Sequence, residues 1–141
     1  MNIGLSTAAF YGRWETEEAA EHLSDYGAAC AEAFLQTRGE MTAGFAADVR
    51  KRLNGVPCTS MHPKGTLFEN ELFGRSPRQR AEGWDAFQHA LDAAAELGAA
   101  YYVYHGWHSS TGNKIPFDAQ RNADVVGEMQ LRAAQRGIRI A

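Results

Sequence analysis

Four glycines divide the chain at similar junctions, and this repeat is the feature that most limits the fold. They are Gly27, Gly55, Gly98 and Gly137. An amphipathic helical pattern precedes each glycine, and a short apolar run follows it. Because glycine adopts the left-handed conformation that closes a helix at little steric cost, each junction predicts a helix end followed by a strand. A first apolar run near Ile3 opens the chain, so the predicted order is β-α-β-α-β-α-β-α-β.

The residues at the predicted helix starts support this order. Thr16 is placed to cap the first helix, and the fourth is expected to begin at about Asp118. The third predicted helix opens with a cap, a first-turn proline and a capping-box partner, which are Ser76, Pro77 and Gln79. Strands that alternate with helices favour a parallel sheet with right-handed crossovers, and therefore an α/β fold.

Three stretches of the chain bear on the form of the sheet and on where a site would lie. Residues 99–104 are almost continuously apolar or aromatic, as expected of a strand covered on both faces. The segments 63–75 and 106–116 are long, and both follow predicted strands. Since the carboxyl ends of parallel strands carry the binding sites of α/β folds, we expect the functional residues at that edge.

The length of 141 residues is ordinary for one domain, and 1–141 is predicted to form one.

Composition limits the classes of partner. Lys plus Arg total 14 and Asp plus Glu total 17, which gives a net charge of -3. Nucleic acids and anionic membranes are bound mainly by clustered cations, so neither is expected as a partner. No membrane span or signal peptide is apparent. With two cysteines, Cys30 and Cys58, no disulfide framework is predicted, and the expected compartment is the cytoplasm.

Two histidines follow neighbouring predicted strands. His62 comes after the third strand and His105 after the fourth. Strands in a sheet lie about 4.8 Å apart, so the two imidazoles could reach one metal ion or one substrate. A histidine that only bonds to backbone at a strand end is the alternative for each residue taken alone. The aligned pair, followed by two long loops, favours a functional site.

Two further residues are candidates for substrate binding beside this pair. Glu32 lies among apolar neighbours on the second predicted strand, where a carboxylate is costly unless it is paired or bound to a metal. The alternative is that it bonds to a neighbouring side chain at a wet end of the sheet. His108 follows His105 in the next loop and could either join the site or lie on the surface. The glycine-rich phosphate loops and the nucleophile elbow of common enzyme classes are absent from the sequence.

Five segments together resemble the xylose isomerase-like TIM barrels. In chain order they are Ile3-Gly4-Leu5-Ser6-Thr7, Ala31-Glu32-Ala33-Phe34-Leu35, Ser60-Met61-His62-Pro63, Tyr102-Val103-Tyr104-His105-Gly106 and Gly137-Ile138-Arg139-Ile140-Ala141. The resemblance implies part of a (β/α)8 barrel: four βα units and a fifth strand, with strand order 1-2-3-4-5. A full barrel needs eight such units. The resemblance therefore implies an N-terminal half that ends just before an expected metal-binding glutamate.

The family also implies an activity. Its members include sugar and sugar-phosphate isomerases and epimerases, which bind a divalent metal such as Zn, Mn, Mg or Co at the mouth of the barrel. The expected reaction is a proton transfer through an enediolate, with further ligands and catalytic carboxylates beyond Ala141. In the endonuclease IV-type branch, histidines at the places of His62 and His105 bind metal, whereas in the sugar branch they could contact substrate. This chain alone is expected to be inactive.

Three other possibilities remain at the level of sequence. One is an apurinic-site nuclease of the same fold, which the net charge of -3 disfavours. Another is a five-strand flavodoxin-like or receiver-like binding module, whose strand order would be 2-1-3-4-5. The third is a catalytically inactive subunit. In a half barrel the first and fifth strands would be open edges, which predicts association with a second copy or with a partner half.

Overall fold

The strands form one parallel sheet with each strand beside its neighbour in sequence. The structure, a computed structural model, describes residues 3–65, 68–106 and 118–141. The order is β1-β2-β3-β4-β5, with every pairing parallel. The strands are β1 (Gly4–Ser6), β2 (Cys30–Leu35), β3 (Cys58–Pro63), β4 (Tyr101–Tyr102) and β5 (Arg139–Ile140). This confirms the α/β fold and the order 1-2-3-4-5, and it rules out the order of the flavodoxin-like alternative.

A helix follows each of the first four strands. These helices are α1 (Thr16–His22), α2 (Ala43–Arg52), α3 (Pro77–Leu97) and α4 (Ala119–Ala134). Short 3-10 helices lie in the connecting segments at Thr7–Phe10, Arg38–Glu40 and Glu69–Phe73. No helix in the three described ranges has the length and apolar character of a membrane span.

The junction glycines adopt the predicted conformation, but only one of them caps a helix directly. Their φ values are 71°, 88°, 76° and 70° at Gly27, Gly55, Gly98 and Gly137. Gly98 is the C-cap of α3. The other three helices end earlier, and a further turn separates each from its glycine.

The helices begin near the predicted residues, but some of the predicted capping hydrogen bonds do not form. Asp118 caps α4, where its side chain accepts a hydrogen bond from the Arg121 N–H. Ser76 is the N-cap of α3, but its side chain makes no capping hydrogen bond, so the predicted capping box is wrong. The cap of α1 is Glu15 rather than Thr16, because a reciprocal pair of bonds with Glu18 closes that end.

The core lies between the sheet and the helices. Along β2 the buried residues are Ala31, Ala33 and Leu35, and the alternate residues are only half-buried. Side chains alternate between the two faces of a strand, so Glu32 and Phe34 lie on the face away from the helices. On β4, Tyr102 is buried but Tyr101 is 40% exposed. The prediction that this strand is covered on both faces is therefore wrong for the described residues.

Glu40 ties the segment after β2 to α1, and we predict a large stability cost for its removal. Its carboxylate, 8% exposed, accepts hydrogen bonds from Thr16 Oγ1 at 2.9 Å, Gln36 N at 2.8 Å and Thr37 Oγ1 at 3.1 Å. Glu40→Ala leaves these donors without their acceptor, so we expect the free energy of unfolding to fall by about 2–3 kcal/mol in urea titrations. The control is Glu82→Ala on the exposed side of α3, for which about 0.5 kcal/mol or less is expected. Equal losses in the two variants would contradict the prediction.

Candidate functional site

The sheet brings the two predicted histidines together at its carboxyl edge. His62 is the penultimate residue of β3, and His105 lies three residues after β4. Their Nε2 atoms are 2.9 Å apart and their ring centroids 4.8 Å apart. Because β3 and β4 are parallel neighbours, this closeness follows from the register of the sheet.

A carboxylate contacts each histidine at Nδ1, the ring nitrogen that does not face the other histidine. Glu32 Oε1 lies 3.2 Å from His62 Nδ1, and Glu69 Oε2 lies 3.2 Å from His105 Nδ1. Glu32 comes from β2, whereas Glu69 opens the 3-10 helix that follows β3. The four side chains form one row, carboxylate–imidazole–imidazole–carboxylate, which we call the histidine row.

Hydroxyl groups hold the two outer carboxylates. Ser6 Oγ donates to Glu32 Oε1 at 2.7 Å, and Ser60 Oγ lies 3.4 Å from Glu32 Oε2. The Tyr102 hydroxyl donates to Glu69 Oε1 at 3.1 Å. Both Glu69 and Tyr102 are fully buried. Burial raises the pKa of Glu69, while the charge of His105 and the bond from Tyr102 act to lower that pKa.

Counting hydrogens shows what the histidine row requires. An ionised carboxylate only accepts hydrogen bonds, so with both glutamates ionised each histidine Nδ1 carries a hydrogen that it donates outward. The two Nε2 atoms would then present lone pairs to each other at 2.9 Å. Either one more proton in the row or a metal cation removes this repulsion. A single hydrogen between the two Nε2 atoms makes their 2.9 Å contact an N–H···N hydrogen bond.

The donor set fits a metal ion in part. Histidines that bind metal commonly donate their other ring N–H to a carboxylate or carbonyl, which fixes the tautomer and the ring orientation. His62 and His105 both have this arrangement. No cluster of three or more His, Cys, Asp or Glu side chains within 3–65, 68–106 and 118–141 could hold a metal ion. Within those ranges the pair would offer a metal ion two ligands at most, and a complete site would need others.

A cavity opens directly in front of the histidines. Its volume is about 600 Å³, within the range of small-molecule sites. The residues that line it are Ala8, Tyr11, Phe34, His62, Lys64, Gly65 and His105. Aromatic rings connect along one wall: Tyr11 and Phe34 are 5.7 Å apart between ring centroids, and Phe34 and His62 are 5.0 Å apart. The cavity is thus mostly apolar, with its polar groups at His62, His105 and Lys64.

Gly65 allows the second half of the histidine row to form. A Cβ atom at this position would overlap Glu69 Oε2 and His105 Nδ1. The backbone of the segment after β3 therefore passes against the hydrogen bond between these two side chains. Only a residue without a side chain leaves both of them in place.

The structure places the four predicted site residues differently from one another. His62 and His105 line the main cavity. Glu32 contacts His62 but lines a separate cavity of about 250 Å³ between β1, β2 and β3. It supports a histidine rather than facing the main cavity. His108 lies outside the described residues.

Sequence reasoning missed five residues of this site. They are Tyr11, Phe34, Lys64, Gly65 and Glu69. Two of them carried a usable signal, because Phe34 is two residues after Glu32 and Lys64 is two residues after His62, on the same faces of their strands. The other three lie in the connections between strands and helices, where no apolar periodicity indicates which way a side chain points.

Comparison with known proteins identifies the fold. No protein-family model and no curated protein matches the sequence. Among solved structures, the chain is similar to a D-psicose 3-epimerase from Clostridium cellulolyticum, with TM-score 0.72 and 17% identity over 99% of this chain and 51% of that one. It is similar to a 3-keto-D-glucoside 4-epimerase from E. coli, with TM-score 0.67 and 18% identity over 99% and 54%. A xylose isomerase domain protein from Planctomyces limnophilus gives TM-score 0.65 and 18% identity over 98% and 52%.

These likenesses confirm the resemblance to xylose isomerase-like TIM barrels at the level of the fold. The chain spans about half the length of the solved structures that it matches. Four βα units and a fifth strand in the order 1-2-3-4-5 are what half of such a barrel contains. In a TIM barrel the active site lies at the carboxyl edge of the strands, which is where the histidine row and the main cavity lie.

Proposed function

We propose that this chain forms part of the active site of a sugar or sugar-phosphate isomerase or epimerase that uses a divalent metal ion. The observation that carries the proposal is the histidine row, which presents two carboxylate-backed imidazoles to the main cavity at the carboxyl edge of the sheet. The fold likeness to two sugar epimerases supports the same class of reaction. Zn, Mn, Mg and Co are the candidate metals.

The residues of this chain would hold and orient the reacting groups. His62 and His105 would each offer an Nε2 ligand, and Glu32 and Glu69 would fix the ring orientations. A bound divalent metal supplies Lewis-acid polarisation of a substrate carbonyl. Phe34 and Tyr11 would form an apolar wall against which a sugar ring could pack. The carboxylates that move the substrate proton are assigned by the resemblance to later strands, so the chain alone is proposed to bind without turnover.

Metal binding tests the part of this proposal that lies in the chain. Titration calorimetry with ZnCl2 and with MnCl2 should show binding to the chain. We expect His62→Ala and His105→Ala to weaken that binding by tenfold or more, because each removes one of two nitrogen ligands. The matched control is His89→Ala on the exposed side of α3. Equal affinity of His62→Ala and the unmodified chain would contradict the proposal.

Ligand binding tests the substrate class. Saturation-transfer NMR should show that D-fructose binds the metal-loaded chain. His62→Ala should reduce the transfer, and His89→Ala should leave it unchanged. Cleavage of an abasic-site DNA duplex by the chain, lost on chelation, would instead favour the nuclease alternative.

A further inference from the structure

We propose that Lys64 and Tyr11 form a subsite for an anionic group, a phosphate or a carboxylate, carried by the substrate. The inference rests on the proposed function, since it treats the main cavity as a sugar site. It adds the charge of the substrate, which neither the fold nor the histidine row specifies.

The first observation is that both residues keep hydrogen-bond donors that no group in the described ranges accepts. Lys64 Nζ donates to the Tyr11 hydroxyl oxygen at 3.1 Å and lies 5.4 Å from the centroid of that ring. An ammonium group has three donors, and the Tyr11 hydroxyl keeps its own hydrogen after accepting this bond. In the described part of the chain, nothing accepts the remaining hydrogens. An oxyanion, with several acceptor oxygens, matches such a set.

The second observation is that Lys64 has no counter-ion within the described residues, although it is half-buried against the cavity. The two carboxylates of the site are engaged elsewhere, because Glu32 and Glu69 bond to the histidines. A partly desolvated ammonium without an anion carries a desolvation cost that a bound anion would offset.

The third observation is the position of Lys64 relative to the histidine row. The Lys64 backbone N–H donates to Leu35 O at 2.8 Å, which continues the pairing of β2 with β3. Lys64 is two residues after His62, so both side chains lie on the same face, about 7 Å apart along the chain. Phe34 and Ala8 line the same cavity. One small ligand can therefore contact the histidines with one end and Lys64 with the other.

The experiment compares charged and neutral sugars on the same protein. Affinities for D-fructose and for its 6-phosphate are measured by calorimetry on the metal-loaded chain, with D-gluconate as the carboxylate probe. We expect at least one of the anionic ligands to bind about tenfold more tightly than D-fructose. Lys64→Gln should lower the affinity for the anionic ligand to that for D-fructose. Lys64→Arg should keep most of the difference, and Lys51→Gln, on the exposed side of α2, should keep all of it.

The outcomes separate this inference from the proposed function. Equal affinity for the neutral and the anionic sugars would overturn the inference while leaving the sugar site standing. Equal weakening of all ligands by Lys64→Gln would also overturn it, because Lys64 would then only support the wall of the cavity. If no sugar binds, the proposed function fails. Titration with inorganic phosphate then decides about the subsite alone: binding that Lys64→Gln abolishes supports it, and binding that Lys64→Gln leaves unchanged overturns it.

Discussion

Gly65→Ala is expected to break the histidine row while leaving most of the fold intact. The added Cβ would overlap Glu69 Oε2 and His105 Nδ1 at once. Glu69 is fully buried and has no room to move away, so the imidazole of His105 must shift. Insertion of one methyl group into a packed site costs about 1–3 kcal/mol. The larger effect falls on the site, because displacement of one of the two nitrogens proposed to bind metal is expected to weaken metal affinity by about 10–100-fold.

Calorimetry with ZnCl2 and urea unfolding together measure the two effects of this substitution. Gly44→Ala is the matched control, since a Cβ there meets nothing within 4 Å and the residue lies in α2. Alanine favours helix over glycine by about 1 kcal/mol, so this variant should be slightly more stable and bind metal normally. Unchanged metal affinity in Gly65→Ala would show that His105 is not held as the structure indicates.

The fold could be predicted because it depends on short-range patterns. Apolar residues recur at helical spacing in the helices and form short runs at the strands. Each junction glycine has the positive φ that its place in the sequence implies. The errors arose where a distant residue decides the local structure. Glu15 caps α1 in place of Thr16, whose hydroxyl instead donates to Glu40, 24 residues later. Tyr101 is 40% exposed because coverage of a strand depends on what lies across the sheet.

The residues of the candidate site show the same difference between short-range patterns and long-range contacts. His62 and His105 could be predicted because parallel neighbouring strands bring their carboxyl ends to one edge. Glu69 could not, because it opens a 3-10 helix that the sequence patterns did not predict, and it meets His105 across 36 residues of sequence. The importance of Gly65 could not be predicted either, because a side chain there would overlap Glu69 and His105, which only tertiary contacts bring close to it. The sequence therefore locates the edge that carries the site, whereas the supporting groups depend on tertiary contacts.

Glu69→Ala is expected to cause the largest loss of stability among the residues of the histidine row. The carboxylate is fully buried and accepts hydrogen bonds from Tyr102 and His105. Its removal leaves a buried hydroxyl and a ring N–H without partners, beside an empty volume. Leaving a buried donor without its acceptor costs about 1–3 kcal/mol, and the empty volume adds to that cost. Urea unfolding should show a loss of this size, against about 0.5 kcal/mol or less for Glu82→Ala.

Glu69→Gln separates the structural role of this side chain from its role at the site. Burial raises the pKa of Glu69, so the fold tolerates the neutral form better than water does, and the amide resembles that form in shape. The amide oxygen can accept from His105, and the amide N–H can donate to the Tyr102 oxygen. We therefore expect most of the stability to return while metal affinity stays lowered about tenfold, because a neutral partner supports the charge on a metal-bound imidazole less well. Full recovery of both properties would show that Glu69 fills the core and does not tune His105.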